Sequence, residues 1–373
     1  MAKMARLPAI DVLRGFVIAL MALDHARDFF GPAPFNAEDL AATTPAWFWT
    51  RWITHLCATV FVLLAGSSAF LRGQGSGIPN LSRYLATRGA MLIALEMTWI
   101  SFSWQFGFHV FIMQVIWALG AGMLFLALMV RLPRPAIIGV AAVLILSHNL
   151  FDDLKLDNPL WRAFHQGGFV PFDATHGIVF MYPLMPWLGL ITAGYALGPV
   201  FLWEKERRQR FLLAAAGALM LLFVVLRAGN YYGDPEPWSL QNKDVMFDLM
   251  SFMRVHKYPP SLLYLCVTGS IGLALLVLFE RIKPPPLFAL FGAHPLFFYV
   301  IHIALTHLLG IVCLQLMYGG QPGNGNAGFQ SPGGYQPSLL LVYVAWLGVL
   351  AVMTTLTQAW VRYNQAKRAH LPA

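Results

Sequence analysis

The chain has 373 residues, of which 58% are hydrophobic and 11% charged, with a formal net charge of +8. Soluble domains carry roughly 25% charged residues, and a mean hydropathy of +0.62 leaves too few charges to cover a soluble surface, so lipid is the solvent for much of the chain. The positive balance does not indicate nucleic acid, because most basic residues sit in short connections between apolar runs, where they orient membrane proteins.

A bilayer-spanning helix needs about 20 predominantly apolar residues. The sequence predicts ten, over 10–30, 47–71, 84–105, 108–130, 134–151, 177–202, 209–228, 260–280, 286–316 and 338–361. The first run contains Asp11, Arg14, Asp24, His25 and Arg27. A cleaved signal peptide has no charges in its apolar stretch, so this segment is expected to be retained. With the N-terminus inside, sixteen of the 25 basic residues fall on cytoplasmic pieces and eight on outer loops. The expectation is an all-α, polytopic integral membrane helical bundle of about ten transmembrane helices. It forms a single domain over 1–373, with N- and C-termini cytoplasmic.

Ionisable groups inside spanning helices are costly and are functional candidates by default. In the first helix Arg14 and His25 are eleven residues apart, about three turns, and project from nearly one face. Roughly 16 Å separates them along the axis. Asp11 lies one turn below Arg14, and Asp28 nearly one turn above His25. This stripe suits an elongated anionic ligand entering from the cytoplasm, with phosphates on Arg14 and its reactive end at His25. Equally open is an Asp11–Arg14 pair at the helix entrance, with His25 bonded to a neighbouring helix.

The second helix offers Thr54, His55 and Cys57, where His55 poses the same choice as His25. Its Gly66-Ser67-Ser68-Ala69 stretch is expected to let another helix approach closely. Glu96, in the third helix, has no basic residue one turn away and needs an interhelical partner or a proton. Either a structural hydrogen bond or a proton-handling role fits.

The outer segments 152–176, 229–257 and 318–337 are long. They carry Trp161, His165, Tyr231, Tyr232 and Trp238, which suit either a polar ligand or anchoring at the interface. The last includes a turn-rich stretch beginning Gly319-Gly320-Gln321-Pro322. Pro259-Pro260 and Pro284-Pro285-Pro286 mark helix starts, and Pro183 and Pro186 an entry turn or kink. In the ninth helix Tyr299, His302 and Thr306 form one polar stripe, with Gly292, His294 and His307 nearby. His302 and His307, five apart, are poorly placed to share a metal, and the H-E-x-x-H spacing is absent. Cys57, Cys266 and Cys313 show no C-x-x-C spacing. No metal is expected.

The opening Pro8-Ala9-Ile10-Asp11-Val12-Leu13-Arg14-Gly15-Phe16, leading to Asp24-His25, resembles the start of the transmembrane acyltransferase superfamily. That superfamily includes the heparan-α-glucosaminide N-acetyltransferase catalytic-domain family, with bacterial members of unknown function, and the related acyltransferase-3 proteins. Arg14 and His25 match the arginine, ten residues, histidine pattern of acyltransferase-3. The stretches His55 to Phe61, Gly66 to Ser68, Lys257 to Leu263 and Pro295 to His302 are similar to the former group. In its animal enzymes the catalytic histidine lies in the loop after the first helix. This chain has Asn36 there and no histidine, so His25 rests on the acyltransferase-3 pattern.

The resemblance implies acyl transfer, commonly acetyl from acetyl-CoA, to a sugar hydroxyl or amine. The partners would be acyl-CoA, an extracytoplasmic glycan or glycolipid, and membrane lipid, with localisation in the bacterial inner membrane. His25 would be general base or acetyl acceptor, with Asp24, Glu96 and His302 as further catalytic candidates. Arg14, Asp11, His55 and Tyr299 would serve the donor. The rival reading is a transporter of a polar or lipid-linked envelope solute, for which matching broken helices in inverted halves are the expected sign. The sequence leaves a homodimer open.

Overall fold

The computed structural model describes residues 7–31, 36–318 and 338–369. It is 75% helical, and seven of its helices are long and apolar enough to cross a membrane among the described residues. The protein is therefore an all-α polytopic membrane protein. The turn-rich stretch from Gly319 lies outside the described residues.

The first predicted span is one helix, α1 (Pro8–Phe30), with Pro8 at its start, Asp11 in the first turn and Arg27 in the last, charges that complement the helix dipole. The second divides into α2 (Pro45–Ile53) and α3 (Leu56–Ser76), breaking at Thr54-His55. The third runs from α4 (Ile78–Leu95) through a π turn at Glu96–Ile100 into the short α5 (Ser101–Gln105).

The fourth span departs from the expected continuous helix. Val110–Met113 is a strand, β1, ahead of α6 (Val115–Met129). α7 (Arg134–Ser147) follows, then a single turn, α8 (Pro159–Trp161), and strand β2 (Gly168–Pro171). The sixth span likewise opens on a strand, β3 (Gly177–Phe180), before α9 (Leu184–Leu197). β1 pairs parallel to β3, with Val110 opposite Gly177, and β2 pairs antiparallel to it. The β-branched and aromatic run Val110-Phe111-Ile112 favours strand, an apolar stretch that length and hydropathy alone cannot tell from helix.

Beyond lie α10 (Lys205–Ala228), α11 (Val245–Met253) and α12 (Leu262–Arg281). The ninth span divides into α13 (Pro286–Ala293) and α14 (Pro295–Tyr318), because Pro295 excludes the helical conformation from His294, whose φ is −129° and ψ 50°. α15 (Leu339–Ala369) ends the described chain.

Two compact units emerge. One comprises the described residues up to Ala37, Ser103–Phe106 and those from Leu278 onward; the other holds Glu38–Phe102 and Gly107–Val277. In the first unit α1 packs against α13, α14 and α15. Seventeen of its 23 residues are buried, so protein rather than lipid surrounds the charges of α1. A Cβ on Gly15 would stand 1.7 Å from the Phe288 carbonyl oxygen, and one on Gly292 would stand 1.6 Å from that of Asp11. Small residues thus let the two helices meet backbone to backbone.

In the second unit α9 packs on α3, α6 and α7. The expected small-residue contact is here: Ser67 Oγ donates to the Gly194 carbonyl at 2.9 Å. Part of the long 229–257 segment is tied to the end of α10. Arg227, 2% exposed, donates to the carbonyls of Glu236, Ser251 and Phe252. Burial pushes the nearby Asp234 carboxyl up, against hydrogen bonds from His256 and Ser261.

Gly292→Ala is expected to lower the thermal midpoint in detergent, since overpacking costs about 1–3 kcal/mol. Gly348→Ala in α15, where a Cβ meets nothing within 4 Å, is expected to leave it unchanged. Equal midpoints for both variants would contradict the close crossing.

Candidate functional site

The first unit brings two of the predicted histidines together. His25 on α1 and His302 on α14 are 7% and 0% exposed. His25 Nδ1 lies 2.8 Å from His302 Nε2, with the ring planes 10° apart. The other nitrogen of His302, Nδ1, is 2.9 Å from the carbonyl oxygen of Phe298.

A carbonyl only accepts, so His302 Nδ1 carries a hydrogen. In the neutral ring His302 Nε2 is then bare and accepts from His25 Nδ1–H. By the same count, neutral His25 carries no hydrogen on Nε2. The basic nitrogen of His25 is therefore Nε2, on a ring whose tautomer its neighbour sets.

Around this pair the unit packs aromatic groups. Trp104 meets His25 edge to face at 5.0 Å, and Tyr299 meets His302 at 5.7 Å. Thr306 Oγ1 donates to the His302 carbonyl, completing the polar stripe expected on α14. His307 has a separate place: its Nδ1–H donates to the Ser103 carbonyl at 2.8 Å, and its ring stacks on Phe29 and Phe106.

The remaining polar groups of α1 form ion pairs. Arg14 Nη1 is 3.0 Å from Asp11 Oδ1 at the start of the helix. Arg27 Nη2 is 3.0 Å from Asp24 and 2.6 Å from Asp28. Asp24, next to His25 in sequence, thus engages a cation on the following turn. The helix between Arg14 and His25 is unbroken.

His55 and Glu96 belong to the second unit. His55 Nε2 lies 3.0 Å from Glu38 Oε1, and Arg51 Nε is 3.5 Å from Glu38 Oε2. The Tyr264 hydroxyl donates to the His55 carbonyl at 2.6 Å. Burial pushes the Glu38 carboxyl up, but His55, Arg51 and Lys257 outweigh it and hold it well below the usual carboxylate range. Glu96 takes its partner from a helix end: Oε2 accepts from the Trp117 backbone N–H at 2.8 Å, in the first turn of α6. It serves as a cap supplied from another helix. Among the described residues, no group of three or more His, Cys, Asp or Glu is gathered as a metal would require.

Sequence reasoning missed Trp104 and Glu38. Nothing in the spacing of either residue signals its partner, because both contacts form only when the chain folds back on itself.

The fold and the buried imidazole pair define a class: a polytopic membrane protein with a hydrogen-bonded histidine pair held among packed helices. Comparison of the sequence with protein families narrows it. The chain belongs to the family described as heparan-alpha-glucosaminide N-acetyltransferase, catalytic, whose profile matches residues 6–230. In general terms that makes it a membrane acetyltransferase. None of the curated proteins compared matches it.

Glu96→Ala is expected to destabilise the fold by about 1 kcal/mol, the usual loss for a helix cap. Glu96→Gln, which keeps an oxygen for the Trp117 N–H, should recover most of the lost thermal midpoint. An Ala variant as stable as wild type would remove the capping role.

Proposed function

We propose that this protein transfers an acetyl group from cytoplasmic acetyl-CoA to a sugar hydroxyl or amine on the extracytoplasmic side of a bacterial inner membrane. His25 is the general base of that reaction. The observation that carries the reading is the His25–His302 hydrogen bond, which makes Nε2 the basic nitrogen of His25 inside a helix-packed unit. Family membership supports the transfer chemistry. Ten spans with both termini cytoplasmic agree with the charge distribution of the loops.

In this mechanism His25 Nε2 takes the proton of the acceptor O–H or N–H as that atom attacks the thioester carbonyl. The carbon–sulfur bond breaks, and the leaving CoA thiolate takes the proton from His25 Nε2. While His25 is an imidazolium, His302 Nε2 continues to accept from its Nδ1–H and so stabilises the charge. That role parallels the carboxylate of a serine-protease triad, which holds its histidine in one tautomer.

Arg14 is assigned to the phosphates of CoA, since a guanidinium binds phosphate bidentately, with Asp11 positioning it. Tyr299 packs on His302 and supports its orientation. Asp24 and Glu96 act through the ion pair and the helix cap described above. His55 stays with Glu38 and Arg51 in the second unit and takes no step in this mechanism.

Purified protein with labelled acetyl-CoA and glucosamine, which offers both an amine and hydroxyls, tests the reading. Wild type should pass label to the sugar and release CoA thiol. His25→Ala should lower turnover by about 10²–10⁴-fold, the usual contribution of positioned acid–base catalysis. His302→Phe should lower it by at least about 10-fold while the protein stays folded, because the tautomer is no longer fixed. Arg14→Ala should raise KM for acetyl-CoA more than it lowers kcat. An unchanged rate in His25→Ala would remove that residue from the mechanism, and solute uptake without covalent transfer would favour a carrier.

A further inference from the structure

The acyl-transfer reading assigns a base but no group to receive the negative charge that develops on the carbonyl oxygen. Stabilising that charge is usually the largest single term in acyl transfer. Neither arginine of α1 suits the task. Arg14 is about three turns from His25, roughly 16 Å along the axis. Arg27, two residues on, projects about 200° around the helix from His25, with its Nη2 held by Asp24 and Asp28.

Trp104 is 5% exposed, and its Nε1–H is buried with no hydrogen-bond partner among the described residues. An indole N–H can only donate. Left unsatisfied in a protein interior, such a donor is destabilising. Other buried indoles share this state, those of Trp117 and Trp187, but both lie in the second unit. Trp104 is the one packed against His25, with ring centroids 5.0 Å apart and planes at 76°.

The chain is bent to put it there. α5 ends at Gln105, and Phe106 takes a φ of 44°, which a bulky side chain rarely adopts. That turn lays the Phe106 ring on His307 at 4.3 Å, while His307 Nδ1–H donates to the Ser103 carbonyl. Phe29 packs on the Trp104 ring at 5.0 Å. Contacts on both sides of Trp104 thus hold a strained four-residue segment within the unit that carries the imidazole pair. Backbone strain of this kind persists only where the surroundings over-determine it, and it concentrates at functional sites.

We propose that the Trp104 indole N–H donates a hydrogen bond to the acyl carbonyl oxygen during transfer, which makes Trp104 a second catalytic residue. The inference rests on the acyl-transfer reading above. As the acceptor atom bonds to the carbonyl carbon, the π electrons move onto oxygen and His25 Nε2 takes the acceptor proton. The oxyanion is held by Trp104 Nε1–H. It then re-forms the double bond as the carbon–sulfur bond breaks, and the thiolate leaves with the proton from His25.

Trp104→Phe keeps an aromatic ring against His25 and Phe29 and removes the donor together with part of the ring. With acetyl-CoA and glucosamine as probes, kcat is expected to fall by about 10²–10³-fold, as for loss of one oxyanion donor. KM for acetyl-CoA should stay within about twofold, because the bond forms in the transition state and not on binding. Replacing Trp104 by its benzothienyl isostere, with sulfur in place of N–H, should reproduce the loss at an unchanged thermal midpoint. That isostere keeps the test decisive if the Phe variant folds poorly. An isostere with wild-type kcat overturns the assignment, as does a loss carried wholly by KM. Wild type that turns over while His25→Ala does not, with the isostere unimpaired, removes Trp104 and leaves the acyl-transfer reading standing. Wild type without any transfer removes both.

Discussion

One hydrogen bond determines what the first unit can do. His25 Nδ1 and His302 Nε2 stand 2.8 Å apart with both rings buried, so the protons must be distributed within the protein. The Phe298 carbonyl fixes one end of the chain by accepting from His302, and every other position follows from it. A single backbone oxygen on α14 thereby decides that the basic nitrogen of α1 is Nε2. The arrangement needs no net charge, which suits a low-dielectric interior where an unpaired ion is costly.

Holding that bond requires α1 and α14 to keep a fixed register, and the helices around them supply it. Gly15 and Gly292 bring α1 and α13 into backbone contact, and the kink at His294-Pro295 sends α14 off in a new direction. Trp346 of α15 donates to the Ala19 carbonyl at 2.8 Å, tying a third helix to α1 above the glycine contact. The ion pairs of Arg14 with Asp11 and of Arg27 with Asp24 and Asp28 gather the charges of α1 near its two ends. The middle of the helix is left apolar apart from the imidazole. Placement of the imidazole pair and helix packing here are one construction.

Much of this was legible in the sequence because it depends on period. The helical repeat placed Arg14 and His25 on one face, put Tyr299, His302 and Thr306 in a stripe, and offered Asp11–Arg14 as an i,i+3 pair. Small residues at Gly66-Ser67 foretold a close helix crossing, found at Gly194. What depends on long-range folding was not legible. The His25–His302 contact joins residues 277 positions apart, and Trp104 and Glu38 reach their partners from neighbouring segments with no motif to announce them. Hydropathy also merged structures that chemistry separates. Val110–Met113 and Gly177–Phe180 are as apolar as helix yet pair as strands, and Pro295 divides a run that hydropathy reads as continuous.

The central claim is the tautomer of His25, and nitrogen NMR of histidine-labelled protein in lipid nanodiscs measures it directly, with His25→Ala and His302→Phe supplying the assignments. The account requires the His25 ring to carry its hydrogen on Nδ1, with a through-hydrogen-bond coupling to His302 Nε2 that disappears in His302→Phe. A hydrogen found on Nε2 of His25, or a His25 signal indifferent to loss of the His302 ring, would contradict it.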